Sequence, residues 1–509
     1  MLTPANAQSA SPPGDANAYP ELQTKGQCSP SPGDGPVARL KVPSAAMPAA
    51  LDDPALAALL CSELLTAAEL KTLCQSRGFP LAGVGKDALA KSSSARFLEP
   101  VGVVEAMAAL EPRWLKVLHL VAAAAEPVSL RVVARAIDPA MRSIYARFDF
   151  RSLWREASNG LLSRGVALAV ERADEHGDKS RFARFHLVFP STFARFLPPF
   201  PVEVHSVQGA ARQGDLDDIL ARAVGLFAGA KPRAGTDALA SQIAATITLK
   251  AGVLSLSGVD QPDGARIAQR AYTLFQTGLP TPRTATVPTG SVAVQILGSL
   301  ATATACTADS LSVALSELGF EVKPPDVRSF LDDGVAAGFV LRFDRPRRDP
   351  IFRLPSSAPA TTRGTLGLAT SPKGARVIPA ESGIGPLLQA ASVARASVAD
   401  GAIVIEPDPV RLGRAWHLCA PTVRASLVAA SRAFRDAAEL VESRGGQVVV
   451  HQGLSLLRIE DAGLYALLEH RFADAVRPVD GRYLACLAGR LDEVLAMARK
   501  EGYVARRSP

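Results

Sequence analysis

The stretch that decides the fold reads TADSLSVALSELGF at 307–320, KPPDVRSFLDDGVAAG at 323–338, FVLRF at 339–343, DRPRRDP at 344–350 and IFRL at 351–354. Its pattern predicts one helix that ends near Gly319 and a second that begins at Pro324 and stops at Gly338. Two short aliphatic strands follow the second helix. The turn between them contains three basic residues, Arg345, Arg347 and Arg348.

The order of these elements resembles that of winged-helix modules, in which a β-hairpin follows the last helix. The resemblance implies a winged-helix domain over 286–355, and it implies that the basic turn enters a minor groove or follows the DNA backbone. Winged helices serve protein contacts as often as DNA contacts, so the pattern leaves both uses of this turn open.

An earlier unit, over 101–201, shows the same order of patterns. Helical periodicity over Arg113–Ala125, Leu130–Ile137 and about Ala140–Arg164 precedes two strand-like runs that a polar tip separates. Three helices closed by a hairpin again resemble the winged-helix order. The unit ends in the proline-rich exit FLPPFP at 196–201.

The third helical pattern of this unit places Arg147, Arg151 and Arg155 four residues apart. In one continuous helix these arginines would project from a single face. A helix with one arginine stripe is suited to lie along phosphates or in a major groove. The alternative is that Asp149 and Glu156 pair with the arginines and form an ordinary solvated face.

A shorter helical motif precedes both units, over 51–98. It reads LTAAELKTLCQSRGFP at 65–80 and GVGKDAL at 83–89. Thr66 can cap the first helix together with Glu69, and Gly78 can end it with a positive φ. The stretch resembles the SAP motif, a helix-turn-helix DNA-binding element, which implies that Lys86 contacts phosphate at the start of the second helix. The alternative is an ordinary helical hairpin with a glycine C-cap.

The remaining segments carry weaker patterns. Residues 1–46 are predicted to be disordered, 206–285 to be helical without an interpretable motif, and 356–400 to be a linker. Residues 401–507 alternate strand-like runs with helical ones and predict a small α/β module. Its end, with LLRIEDAGLYALL at 456–468 and LDEVLAMARKEGY at 491–503, resembles the bacterial helicase-associated domain related to accessory regions of XPB-type repair helicases. The motor motifs of such helicases are absent from the sequence.

Composition narrows the class of protein. The 509 residues suffice for roughly three or four domains, and the patterns predict a mainly α fold with α+β parts. The net charge of +7 favours a polyanionic partner. The cysteines are scattered without a CxxC pair, and neither a signal peptide nor a bilayer-length apolar run is present. We therefore expect a soluble, cytoplasmic protein.

Motifs that carry enzymatic chemistry are absent from the sequence, which contains neither GxSxG nor HExxH. His417 and Cys419 are the nearest approach of these residue types, and a lone pair seldom makes a metal site. Three neighbouring acids open a predicted helix, where they favour the helix dipole, and this reading outweighs a metal-nuclease role. They are Asp215, Asp217 and Asp218. We expect no catalytic residue, no metal and no cofactor.

Together these patterns predict a non-enzymatic DNA-binding protein, located at the nucleoid and serving DNA repair or a helicase as an accessory factor. Its phosphate contacts would be Lys86, Arg147, Arg151, Arg155, Arg345, Arg347 and Arg348. The alternative is a protein-interaction scaffold that docks a helicase or repair partner without binding DNA. A nuclease is the least favoured of the three hypotheses.

Overall fold

The computed structural model describes residues 52–503 apart from 82, 84, 144–145, 173–177, 234–236, 261–262, 283–285, 362, 372–373 and 445–452. In that range the chain forms helices and five small antiparallel sheets, which confirms the predicted class, mainly α with α+β parts. None of its helices there combines the length and the apolar composition that a bilayer span requires. The disorder predicted for 1–46 and the strand-like run QVVV at 447–450 lie outside the described residues.

The N-terminal unit is helical and contains the stretch that resembles a SAP motif. Its helices are α1 (Asp53–Leu59), α2 (Ala67–Arg77), α3 (Lys86–Arg96) and α4 (Val103–Ala108), with a π-helical turn at Leu60–Leu64. The predicted capping box is present, because the Glu69 backbone N–H donates to the Thr66 hydroxyl and the Thr66 N–H donates to the Glu69 carboxylate. Gly78 ends α2 with φ 64°, so the left-handed C-cap is also confirmed.

The next unit contains three helices and a three-stranded sheet. They are α5 (Pro112–Ala122), β1 (Val128–Ser129), α6 (Leu130–Ile137), α7 (Phe150–Ala157), β2 (Leu168–Glu171) and β3 (Phe185–Val188). The sheet has the order β1-β3-β2 and is antiparallel. Apolar residues of the helices and the sheet, among them Val117, Leu161 and Leu187, are fully buried together.

The long helix predicted over 140–164 is wrong only before Phe150, because α7 continues as a π-helical turn at Ser158–Leu162 and so ends close to the predicted end. After a 3₁₀ turn at Pro139–Arg142, the described residues 143 and 146–149 are not helical, and α7 begins only at Phe150. A cap at the preceding residue fixes this start, because the Ser152 backbone N–H donates to the Asp149 carboxylate at 3.1 Å. The third helix of this unit is therefore much shorter than the sequence pattern predicts.

Residues 206–285, predicted as a helical region, also contain a β-hairpin. In chain order the elements are β4 (His205–Ser206), α8 (Leu216–Phe227), α9 (Ala238–Thr246), β5 (Ile247–Lys250), β6 (Val253–Leu256) and α10 (Gly264–Gln276). The short strand β4 pairs with a strand of the following unit, so this region and that unit share a sheet.

A second unit of three helices and a hairpin follows. Its elements are α11 (Thr289–Ser299), β7 (Thr304–Thr307), α12 (Ala308–Glu317), α13 (Pro324–Ala336), β8 (Leu341–Arg345) and β9 (Arg348–Arg353). The antiparallel sheet has the order β4-β7-β9-β8. Gly319 and Gly338 have φ values of 90° and 77°, and α13 begins at Pro324, which confirms the predicted helix ends.

The linker predicted over 356–400 is wrong from Leu366 onward. This part of the chain forms β10 (Leu368–Ser371), β11 (Gly374–Val377), α14 (Ile384–Val393) and β12 (Ala394–Ala399), and it continues into β13 (Ala402–Pro407), α15 (Pro409–Ala415), α16 (Pro421–Ala430) and α17 (Arg432–Arg444). The strands form one sheet in the order β10-β11-β13-β12. The boundary predicted at 401 therefore falls inside the β12-β13 hairpin.

The C-terminal module has a core of its own. Its elements are β14 (Leu454–Arg458), α18 (Ala462–Arg471), β15 (Val476–Asp480), β16 (Tyr483–Leu487) and α19 (Leu491–Lys500). The sheet has the order β14-β16-β15. Leu468 of α18, Leu484 of β16 and Val494 of α19 are buried against one another in this core, so strands and helices alternate here as predicted.

Candidate nucleic-acid interface

Three arginines lie on and beside α7, the third helix of the first three-helix unit. Arg151 and Arg155 are exposed on α7, one helical turn apart, and Phe150 and Leu153 are buried on its inner side. Arg147 is exposed in the non-helical segment before the helix. The predicted stripe on one helix is therefore confirmed for two of the arginines and wrong for Arg147.

The acids beside α7 are engaged with other groups. Asp149 accepts the hydrogen bond that caps the helix, and the Glu156 carboxylate lies 3.4 Å from the guanidinium of Arg113 on α5. Within the described part of the chain, none of these three arginines, on and before α7, forms an ion pair. The alternative in which Asp149 and Glu156 neutralise these arginines is therefore wrong.

Arginine–aromatic contacts hold the segment before α7. The guanidinium carbon of Arg131 lies 5.4 Å from the ring centroid of Phe148 and 4.7 Å from that of Phe150, and the guanidinium carbon of Arg135 lies 5.7 Å from Phe148. The two rings stack with centroids 5.6 Å apart. Burial and the neighbouring Arg131 lower the pKa of Arg135. These contacts fix Phe148 and with it the position of the adjacent Arg147.

The turn between β8 and β9 projects basic side chains, as the sequence predicts. Arg345 and Arg348 pair across the hairpin, and Arg347 occupies the turn with φ 55°. Arg345 is half-buried and donates from Nε to the backbone carbonyl of Asp349 at 2.8 Å. Arg347 and Arg348 are exposed, so they are the two arginines of this turn that are placed to reach a ligand.

The two acids of this hairpin are also engaged elsewhere. Asp344 lies 2.8 Å from both Arg212 and Arg342, and Asp349 lies 2.9 Å from Arg328 of α13. No ion pair of the two exposed turn arginines occurs among the residues that the structure describes. The turn therefore keeps a positive tip.

Helix α13, the third helix of the second unit, has the opposite charge from α7. It carries one arginine, Arg328, and three acids, Asp326, Asp332 and Asp333. Burial, together with the neighbouring Asp332 and Asp237, raises the pKa of Asp333 to about 6. A polyanion therefore meets repulsion at this helix.

Lys86 is the first residue of α3, as the resemblance to the SAP motif implies. It is half-buried, and the residue before it, Gly85, has φ 120° and provides no side-chain cap. The first amides of α3 are therefore left without a capping side chain, which suits contact with an anion.

Arg77, the last residue of α2, is fully buried. Its guanidinium donates to the carbonyl oxygens of Val101 at 2.8 Å, Phe97 at 3.0 Å and Gly165 at 2.6 Å, and also to that of Glu99. Burial lowers the pKa of Arg77 to about 10. Because Gly165 belongs to the next unit, this arginine joins the N-terminal helices to the hairpin unit and is not a ligand-binding residue.

The two three-helix units meet at the end of α12. Glu317 accepts a salt bridge from Lys116 of α5 at 2.8 Å, and its backbone carbonyl accepts a hydrogen bond from Arg142 at 2.7 Å. The predicted contact residues remain in three separate groups, at α3, at α7 and at the β8-β9 turn. No hydrogen bond or ion pair joins one group to another in the ranges that the structure describes.

The sequence analysis missed one basic residue near α7. The second strand of the hairpin begins at Phe185, and the preceding residues, Arg181–Arg184, form a 3₁₀ turn beside α7. Trp154 of α7 packs against Phe185 with ring centroids 4.2 Å apart and ring planes tilted by 30°, which secures this turn. Arg184 is exposed there. The alternation of arginine and phenylalanine in RFARF at 181–185 was the available signal.

The acids at the start of α8 serve the fold. Asp215 caps the helix by accepting a hydrogen bond from the Asp217 backbone N–H at 2.9 Å, as predicted. Asp217 and Asp218 bind the backbone and the guanidinium of Arg363 at 2.7 and 2.8 Å. Among the described residues no group of three or more His, Cys, Asp or Glu side chains is arranged to hold a metal ion.

No protein-family model matches this chain, and no curated protein matches it significantly. The resemblances to winged-helix, SAP and helicase-associated modules therefore rest on residue patterns. The features of the chain that bear on its function are its exposed charges and the order of its elements.

Proposed function

We propose that this chain is a non-enzymatic DNA-binding protein that holds the phosphate backbone with exposed arginines. The observation that carries the proposal is the state of Arg147, Arg151 and Arg155, which are exposed beside acids that are engaged elsewhere. An arginine without an ion pair loses no existing partner when it binds a phosphate, and it releases condensed counterions from the DNA.

The order of elements around these arginines supports the proposal. Both three-helix units have a short strand between their first two helices and an antiparallel hairpin after the third, an order typical of winged-helix modules. In such modules the third helix lies in the major groove and the hairpin follows the backbone or the minor groove. In the order of elements, α7 is the third helix of the first unit, and the β8-β9 turn belongs to the hairpin of the second unit.

Lys86 provides a third contact in this proposal, at the uncapped start of α3. The capping box, the glycine C-cap and the position of Lys86 all fit the SAP-like interpretation of this helical pair. The resemblance of 456–503 to the helicase-associated domain extends the proposal to an accessory role beside a DNA repair protein or a helicase, at the nucleoid.

The proposal is tested by fluorescence anisotropy of the full chain with labelled duplex DNA across a salt series. We expect the logarithm of affinity to fall with the logarithm of salt concentration, with a slope of about −0.9 per phosphate contact. The triple variant Arg147→Ala, Arg151→Ala, Arg155→Ala should make this slope shallower by about 2.7, because it removes three such contacts.

A control triple variant separates position from net charge. Three exposed or half-exposed arginines that already have ion-pair partners and lie outside both three-helix units are suitable, Arg266, Arg432 and Arg490. Their replacement by alanine removes the same formal charge and should leave the salt slope nearly unchanged. If both triple variants lowered the salt slope of DNA binding equally, binding would depend on net charge and not on the position of the arginines. Absence of binding even at low salt would refute the proposal and favour the scaffold alternative.

A further inference from the structure

The C-terminal module leaves one face of its three-stranded sheet uncovered by its own helices. Leu484 and Cys486 of β16 point toward α18 and α19 and are fully buried with them. Strand residues on the opposite face are exposed to solvent, with 37% of Leu454, 61% of Leu456 and 46% of Leu487 accessible.

The strand register makes these residues one continuous surface. Leu454 pairs with Leu487, and Leu456 pairs with Ala485, which in turn pairs with Arg477 of β15. We call the surface formed by these five residues the open face. Exposed apolar residues that adjoin one another in this way mark an interaction site more often than residues scattered singly.

The charge of the open face restricts what can cover it. Arg477 is exposed, and its guanidinium donates only to backbone carbonyl oxygens, including that of Val476 at 3.4 Å. In the described part of the module it has no carboxylate partner. A second copy laid on this face would bring Arg477 no carboxylate from its own open face, because the other four residues of that face are apolar. A partner with an acidic flank gains an ion pair instead.

The shape of the face favours a helix as the partner element. Three strands about 4.8 Å apart present a surface about as wide as one helix with its side chains. Covering the second face of a small sheet with a helix is a common layered arrangement. We propose that the open face docks an amphipathic helix of a partner protein, with leucine-type residues against Leu454, Leu456 and Leu487 and an acidic flank against Arg477. The proposal is independent of DNA binding.

The test uses the full chain and two synthetic amphipathic helices of about 18 residues, long enough to form a stable helix. Both peptides carry leucine on one side, and the polar side is glutamate in one and lysine in the other. By fluorescence anisotropy we expect the glutamate peptide to bind at least about tenfold more tightly than the lysine peptide. Arg477→Gln should reduce that preference to less than about threefold.

A matched pair of variants tests the apolar contact. Leu456→Thr keeps a residue that favours strands and should weaken the glutamate peptide at least about fivefold. Val313→Thr changes a valine of α12 with nearly the same exposure, 60% against 61%, and should have no effect. Circular dichroism verifies that both variants are folded.

Three results would overturn the proposal. One is the absence of binding of the glutamate peptide at millimolar concentration, and another is equal binding of both peptides. The third is a concentration-dependent dimer in sedimentation velocity that Leu456→Thr abolishes, because a second copy of the chain would then cover the face.

Discussion

Replacing Arg77 with lysine tests whether one buried guanidinium holds the N-terminal helices to the hairpin unit. Arg77 is fully buried and donates to four backbone carbonyls, three of them within residues 97–101 and the fourth at Gly165. A lysine ammonium is a single point at the end of a flexible stem and cannot match this planar fork. Two or three carbonyls would lose their donor, each at a cost of about 1–3 kcal/mol. We expect a loss of about 3–6 kcal/mol in the free energy of unfolding of this region.

The assay is hydrogen exchange of peptides from residues 66–110, combined with urea unfolding. Arg96 provides the control, because it lies over the same Phe79 ring at 5.2 Å, against 5.0 Å for Arg77, but is one-third exposed in its pair with Glu99. Arg96→Lys should cost less than about 1 kcal/mol. If Arg77→Lys and Arg96→Lys were equally mild, the carbonyl contacts of Arg77 would not be the attachment that we infer.

Three further predictions concern stability. Burial lowers the pKa of His119 from 6.5 to about 4, so its neutral form favours folding, and about 3 kcal/mol should be lost as the pH falls from 6.5 to 4. Urea titrations at both pH values should show that His119→Gln lacks this loss. The prediction would be contradicted if the variant lost as much stability as the wild type between these pH values. The raised pKa of Asp333 acts in the opposite direction, because its stability contribution is present below 3.8 and lost as the pH rises through about 6. Asp333→Asn should therefore gain about 1–2 kcal/mol relative to the wild type at pH 7.5 compared with pH 4, and equal stability differences at the two pH values would count against this. Thr66→Ala should cost about 1 kcal/mol in thermal unfolding because it removes the cap of α2, whereas Thr72→Ala, in the middle of the same helix, should cost nothing measurable; similar costs would argue against the cap.

Helix ends that depend on neighbouring residues could be predicted from the sequence. The capping box at Thr66 and the positive φ at Gly78 and Gly319 each require only residues within one turn of the chain. For the same reason the start of α13 at Pro324 was predictable. These signals are local, so no knowledge of the tertiary structure was needed.

The wrong predictions depend on distant contacts. The helix over 140–164 is interrupted where Phe148 lies against Arg131 and Arg135 of α6, and helical periodicity does not record that contact. The linker prediction failed because the Ser, Thr, Pro and Gly content around 356–385 masks apolar residues that are buried by other parts of the chain. Leu366 and Val377 are examples.

In the candidate site, too, local sequence patterns were predictable and contacts between distant residues were not. Residue type and spacing were enough to propose these arginines as candidates. They did not show which acidic side chain pairs with which basic one. Glu156 pairs with Arg113 on another helix rather than with its neighbour Arg155, and Asp349 pairs with Arg328 rather than with Arg348. The exposed charge of a helix is therefore a property of the folded unit.

The contrast between the two three-helix units shows why the order of elements does not decide their function. Both have a hairpin after the third helix, yet α7 presents Arg151 and Arg155 without ion pairs in the described part of the chain, whereas α13 carries three acids and an arginine that Asp349 already binds. In the proposed function, a duplex lying on α7 would gain phosphate contacts, whereas a duplex lying on α13 would meet repulsion. DNA that touched both units would therefore have to meet the second one at Arg347 and Arg348, on the hairpin, and not on its third helix.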